Sequence, residues 1–199
     1  MDKKINTASL QILNGSPSLF INNKLTYPAI YRSVAPTIDG YESAECARMF
    51  AEAGVHLVSI DVGTRSVSPE WRDSGEGGGM FDFSSMKKRF GYILDADPEA
   101  KLLLRISLDM PDWWRNRYPQ EWEVLSSGEC GWQSFASKIW QVQSQAFLNS
   151  LVEFVMNSDL AGRVFAYQPG GGDTTEWVKP FAMKDQCGDY SNLMQTHFR

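Results

Sequence analysis

The sequence predicts an α/β fold: the N-terminal half of a (β/α)8 barrel, about four βα units, preceded by a short β-hairpin. Three observations predict it. From Ala29 onward, strand-like and helix-like runs alternate, which implies a parallel sheet with helices outside it. Loops after strands are long and connections after helices are short, the asymmetry of a barrel whose strand-following loops build the active site. The first strand runs into Val34-Ala35-Pro36-Thr37 without a Gly-x-Gly-x-x-Gly turn, which argues against a doubly wound sheet.

Each element follows from local pattern. Leu10 to Leu13 and Ser18 to Ile21 flank the turn cluster Asn14-Gly15-Ser16-Pro17 and read as a hairpin. Ile30 to Ala35 is the first barrel strand. Ser43 to Ala53 is a helix with Ala44, Ala47, Phe50 and Ala51 on one face and Gly54 as its stop. Val55 to Val62 is the second strand, followed by a loop containing Gly75, Gly77, Gly78 and Gly79. Ser84 to Ala96 is the second helix, with Met86, Phe90, Ile93 and Leu94 as its buried stripe, and Asp97-Pro98 breaks it. Lys101 to Leu108 is the third strand. A loop bearing Pro111, Trp113, Trp114, Pro119 and Trp122 precedes a long amphipathic helix, Ser134 to Met156, and Arg163 to Gln168 is the fourth strand.

Period-two geometry splits the third strand into Leu102, Leu104, Ile106 and Leu108 on one face and Leu103, Arg105, Ser107 and Asp109 on the other. The apolar set packs on helices. The mixed set points into a lumen, with Asp109 nearest the rim. Ser59 and Asp61 share the corresponding face of the second strand. Each Asp reads equally as a cap of the turn that follows it. Arg105 is a partner for Glu176 or Asp109, or half of an interior ion pair.

Composition excludes several functions. The 199 residues fit one domain with a real core, and a net charge of −5 with no basic cluster argues against nucleic-acid binding. Cys46, Cys130 and Cys187 are scattered and odd in number, so neither a disulfide framework nor a zinc site is indicated. His56 and His197 are too few for histidine-based catalysis or metal binding, and His56 reads as a satisfied core or rim residue. No cofactor and no metal are expected. No apolar run marks a membrane span or a signal peptide. The expected location is the cytoplasm, with secretion or the periplasm left open. Seven Trp in a chain that is 13% aromatic point either to a carbohydrate site or to a Trp-rich core, and Trp140, within the long helix, reads as core.

The chemistry concentrates after the fourth strand, in Gly170-Gly171-Gly172-Asp173-Thr174-Thr175-Glu176-Trp177. A glycine-rich exit from a strand forms no regular element. It ends in a carboxylate beside an indole. A carboxyl against an apolar face has its charged form disfavoured, which suits a general acid. A ring that stacks on a sugar beside such an acid points to glycosidic-bond chemistry. The alternative is a surface loop whose Trp packs on the core.

Pro28-Ala29-Ile30-Tyr31, Leu108-Asp109-Met110-Pro111-Asp112-Trp113-Trp114, and Val164-Phe165-Ala166-Tyr167-Gln168 with Glu176-Trp177 resemble β-galactosidase-like glycoside hydrolases of the retaining (β/α)8 clan. The tail Gly188-Asp189-Tyr190-Ser191 and His197-Phe198-Arg199 is similar to the segment leading into their next helix. The resemblance implies that Glu176 is the acid/base and that Asp61, Asp109, Trp113, Trp114, Gln168, Asp173 and Trp177 line the sugar site. It implies a two-step mechanism in which Glu176 protonates the leaving oxygen and a second carboxylate forms a glycosyl-enzyme. That nucleophile belongs at the end of a seventh strand. Thr175 stands where the clan has Asn, which alters a substrate contact.

The expected organisation is therefore residues 1–28 as a hairpin extension and 29–199 as a partial catalytic barrel, truncated after its fourth strand and inactive alone. Its expected partner is an oligosaccharide or glycoside, with neither nucleic acid nor membrane. The alternative is a non-catalytic carbohydrate-binding half-barrel, two copies of which can pair through their open edges as a homo-oligomer. Glu70, Glu76 or Asp82, after the second strand, is the source of a second carboxylate in a third reading.

Overall fold

The computed structural model describes residues 5–33, 41–64, 70–76, 79–172, 176–179 and 186–199. In chain order the elements are β1 (Ala8–Leu13), β2 (Ser16–Ile21), β3 (Lys24–Thr26), β4 (Ile30–Ser33), α1 (Tyr41–Glu52), β5 (Leu57–Gly63), β6 (Trp71–Arg72), β7 (Met80–Phe81), α2 (Ser84–Ala96), β8 (Lys101–Ser107), α3 (Asp112–Arg117), β9 (Trp122–Val124), β10 (Cys130–Gln133), α4 (Lys138–Asn157), β11 (Val164–Gly170) and α5 (Asn192–His197).

The chain divides into two compact units. The first comprises Met1–Val62, Phe83–Arg105 and Val152–Gln168 and holds most of a four-stranded sheet in the order β11-β8-β5-β4. Ile30 to Ser33 pair in parallel with Leu57 to Ile60. Lys101 N–H donates to the His56 carbonyl and Leu102 N–H to the Arg163 carbonyl, both at 2.9 Å. Neighbours in the sheet are neighbours in the chain. Four consecutive strands of a (β/α)8 barrel show that order, whereas a doubly wound sheet reverses at its switch point.

The two central strands, β5 and β8, are buried along nearly their whole length, as parallel strands are. Leu57, Val58, Ile60, Leu102 and Leu104 are buried, and so are Ser59 and Arg105. Met86, Phe90 and Ile93 form the buried stripe of α2 as expected, joined by Arg89, while Leu94 is half-buried. Phe83 packs on Phe154 at 5.0 Å. Helix α1 ends in a Schellman motif: Gly54 takes φ +80°, its N–H bonds Ala51 O, and Val55 N–H bonds Phe50 O, both at 2.9 Å. Phe50 is exposed, and its ring stacks on Tyr31 at 4.7 Å.

The expected hairpin is a three-stranded meander, β1-β2-β3. Asn14-Gly15 and Asn22-Asn23 occupy the left-handed region at φ +52°, +79°, +53° and +62°. Two consecutive left-handed residues make the two-residue turn that matches strand twist, so the second turn closes a second hairpin rather than ending the first.

The second unit comprises Gly63–Asp82, Ile106–Leu151 and Pro169–Arg199, the segments that follow the strands. Sequence patterning leaves most of it as loop, yet it contains two small antiparallel pairs, β6-β7 and β9-β10. Helix α3 lies within the stretch that patterning reads as loop. Trp71 is the hub of its core, stacked on Phe147 at 5.8 Å and edge-on to Trp113 at 6.0 Å and Phe81 at 6.1 Å. Helix α4 starts at Lys138 rather than Ser134, because the Ser137 hydroxyl accepts the Trp140 N–H at 3.1 Å and caps it. No helix among the described residues is long and apolar enough to cross a membrane.

Candidate functional site

The loop after β11 is built in the second unit. Leu108 N–H donates to Gly170 O at 2.9 Å, so the strand ends pair up to Gly170. The chain then turns sharply. Gly172 has φ +85°, and a β-carbon there would overlap the Val178 carbonyl. Trp177 N–H donates to Gly171 O at 2.6 Å and closes the loop on itself. Trp177 takes φ +60°, a conformation rare for a bulky residue and one that costs about 1–3 kcal/mol. Such strain persists only where surrounding contacts over-determine it.

Those contacts are visible. The Trp177 ring meets Phe135 edge-on at 5.7 Å, and Phe135 stacks on Trp140 at 5.3 Å. The Trp140 indole N–H anchors to Leu108 O at 2.7 Å, so Trp140 is core as expected. The Lys179 ammonium sits 3.8 Å from the Phe135 ring centre and pairs with the buried Glu123 at 2.9 Å. The outcome is an indole 51% exposed on a rigid aromatic base, with the neighbouring Glu176 also exposed. Glu176 is thus presented to solvent rather than enclosed by an apolar wall.

The other expected site residues separate into distinct environments. Asp109 is 2% exposed. It accepts Gly172 N–H at 2.6 Å, Gln133 Nε2–H at 3.2 Å and the Ser107 hydroxyl at 3.3 Å. Trp114 is fully buried, its indole N–H bonding Gln143 at 2.7 Å. Its ring is enclosed by protein on every side. Trp113 is half-buried between Trp71 and the Arg117 guanidinium, 5.4 Å from its ring. In the first unit, Asp61 accepts from Arg105 at 3.2 Å, the interior ion pair that was one reading of Arg105. Gln168 is exposed on β11 beside Tyr167, whose phenol is raised above its ordinary value by burial. Asp173 and Thr175 lie outside the described residues.

Glu70 is fully buried, and its carboxylate accepts Gly63 N–H at 2.6 Å, a backbone-bracing role rather than a carboxylate facing a substrate. Gln133, Phe135 and Lys179 were not legible as site residues. Among the described residues no cluster of three or more His, Cys, Asp or Glu side chains is placed to hold a metal ion.

Fold and site together define a mixed α/β protein with a parallel sheet and a carboxylate–indole pair on the loop after its fourth strand. No family profile and no curated protein matches the chain. Among solved structures it is similar to the endo-1,4-β-mannanase from Rhizomucor miehei, with a TM-score of 0.52 and 10% identity over 82% of this chain. The chain spans about half of that enzyme, 50% of its length. At this identity the likeness is one of fold alone.

Proposed function

We propose that this chain is the acid/base-bearing half of a retaining, β-galactosidase-like glycoside hydrolase barrel, and that the loop after β11 is its sugar-directed site. Glu176 is the general acid that protonates the glycosidic oxygen, and Trp177 is the platform for a pyranose ring. The observation that carries the reading is the held strain at Trp177: a non-glycine residue at φ +60°, braced from below and open above, beside an exposed carboxylate. Backbone strain of this kind gathers at functional sites. The sheet order and the mannanase likeness support the barrel context, in which strand-following loops carry the chemistry.

In such a site the indole face covers the apolar face of a sugar and fixes the ring. The carboxylic acid beside it gives its proton to the leaving oxygen as the glycosidic bond breaks and the nucleophile bonds the anomeric carbon. The same group, now a base, takes a proton from the water that releases the glycosyl-enzyme. The nucleophile is a second carboxylate that the resemblance assigns to a seventh strand. The half-exposed Trp177 also suits a second reading, carbohydrate binding without cleavage.

The test is hydrolysis by the natural full-length protein and its Glu176→Gln variant, with aryl glycosides of poor and activated leaving groups. Binding of oligosaccharides without any turnover would favour the second reading. Absence of both binding and turnover would sink the first and the second alike.

A further inference from the structure

We infer that Asp109 is the latch of the Glu176–Trp177 loop, a positioning residue rather than a sugar ligand. The inference rests on the reading of that loop as the site. Asp109 stands two residues beyond the end of β8, where a carboxylate facing a substrate would be open to solvent. It is instead 2% exposed, with Gly172, Gln133 and Ser107 among the donors directed at it. Gly172 N–H and Gln133 Nε2–H meet Oδ1, and the Ser107 hydroxyl meets Oδ2. Gln133 is itself fully buried and fixed by accepting Met110 N–H at 3.1 Å. Ser107 is held against the Thr64 hydroxyl at 3.2 Å. A buried carboxylate is tolerated when donors satisfy it, and a charge-assisted bond is about twice as strong as a neutral one.

The geometry of Gly171 shows what the latch positions. A β-carbon at Gly171 would lie 3.3 Å from Asp109 Oδ1 and 3.4 Å from the Trp177 ring. Gly171 neighbours both latch and platform, and a side chain there would crowd both. Gly172 turns its N–H into Asp109 at the same point. The Gly170-Gly171-Gly172 run therefore has a division of labour: pairing to the strand end, close approach, and the left-handed turn that presents the amide.

The test is hydrogen exchange by mass spectrometry on the full chain, following peptides across residues 169–179 and, as internal reference, 101–107 and 138–157. In Asp109→Ala the loop peptide should exchange about 10- to 100-fold faster, the loss of a hydrogen bond to a charged acceptor, while the reference peptides keep their rates. Asp109→Asn keeps an acceptor but loses the charge, and should fall between, at about three- to tenfold. If Asp109→Ala does not fold, the Asn variant decides alone. Unchanged loop exchange in the variants that fold overturns the latch, as does equal acceleration of every peptide, which marks a structural role only. Loss of oligosaccharide binding with unchanged loop exchange makes Asp109 a sugar ligand and also overturns it. A loop that loosens in a protein that binds and cleaves no glycoside leaves the latch standing and removes the glycosidase reading.

Discussion

Two loops of the second unit carry the aromatic residues that draw attention in the sequence, and they use them in opposite ways. In the segment after β8, Trp114 is buried to the last atom and Trp113 lies between an indole and a guanidinium. The backbone there is an ordinary helix, α3, and the rings fill a core. In the loop after β11, Trp177 is half-exposed on a strained backbone, with Phe135, Trp140 and Lys179 beneath it. One loop gains stability from its aromatics. The other holds an aromatic where stability does not require it. A tryptophan count does not distinguish these uses; exposure and backbone conformation do.

The largest expected difference is in stability. Trp114→Ala removes a fully buried ring and its bond to Gln143 and should cost about 3–5 kcal/mol in urea unfolding. Trp177→Ala should cost about 1 kcal/mol or less by the same measurement, because half its ring already faces water. Equal costs would break the comparison.

Ligand binding should reverse the ranking. Trp177→Ala should weaken oligosaccharide binding by about tenfold or more in calorimetric titration, the worth of one stacked ring. Trp113→Phe should leave the affinity within about twofold, since its ring faces protein. A Trp113 effect as large as that of Trp177 would return the β8 loop to the site.

The glycines sharpen the contrast further. Gly128, between β9 and β10, and Gly172 share φ +85°, but a β-carbon at Gly128 meets open space while one at Gly172 overlaps Val178 O. Gly128→Ala should cost about 1–2 kcal/mol, the left-handed penalty alone. Gly172→Ala should cost more and should also weaken sugar binding. Matching costs with unaltered binding would mean that the Gly172 turn does not shape the site.

The sequence is most informative where periodicity is long. Helix α2 spans Ser84 to Ala96 as patterning predicts, and β8 lies within one residue of its expected end. Thirteen residues with a clear apolar stripe need no tertiary information. Helix α3, β6-β7 and β9-β10 are too short for a period and owe their form to contacts made across the chain, such as Trp113 Nε1–H to Trp71 O at 3.5 Å. The site divides similarly. Glu176 and Trp177 are adjacent and legible as a pair, and Asp109 is legible as a strand-end acid. Gln133, which shares Asp109, lies 24 residues away with no motif to announce it. Lys179 gives no sign of its place beneath Phe135. Trp114 and Trp177 differ in burial, and a buried and an exposed tryptophan look alike in one dimension.

The most direct test of the account is the leaving-group dependence of Glu176→Gln in the natural full-length protein. Loss of a general acid should lower kcat/KM for glycosides with poor leaving groups by about 100- to 10,000-fold. For dinitrophenyl glycosides, which need little protonation, the loss should stay below about tenfold. Equal loss on both substrates would contradict the assignment of Glu176 as the acid.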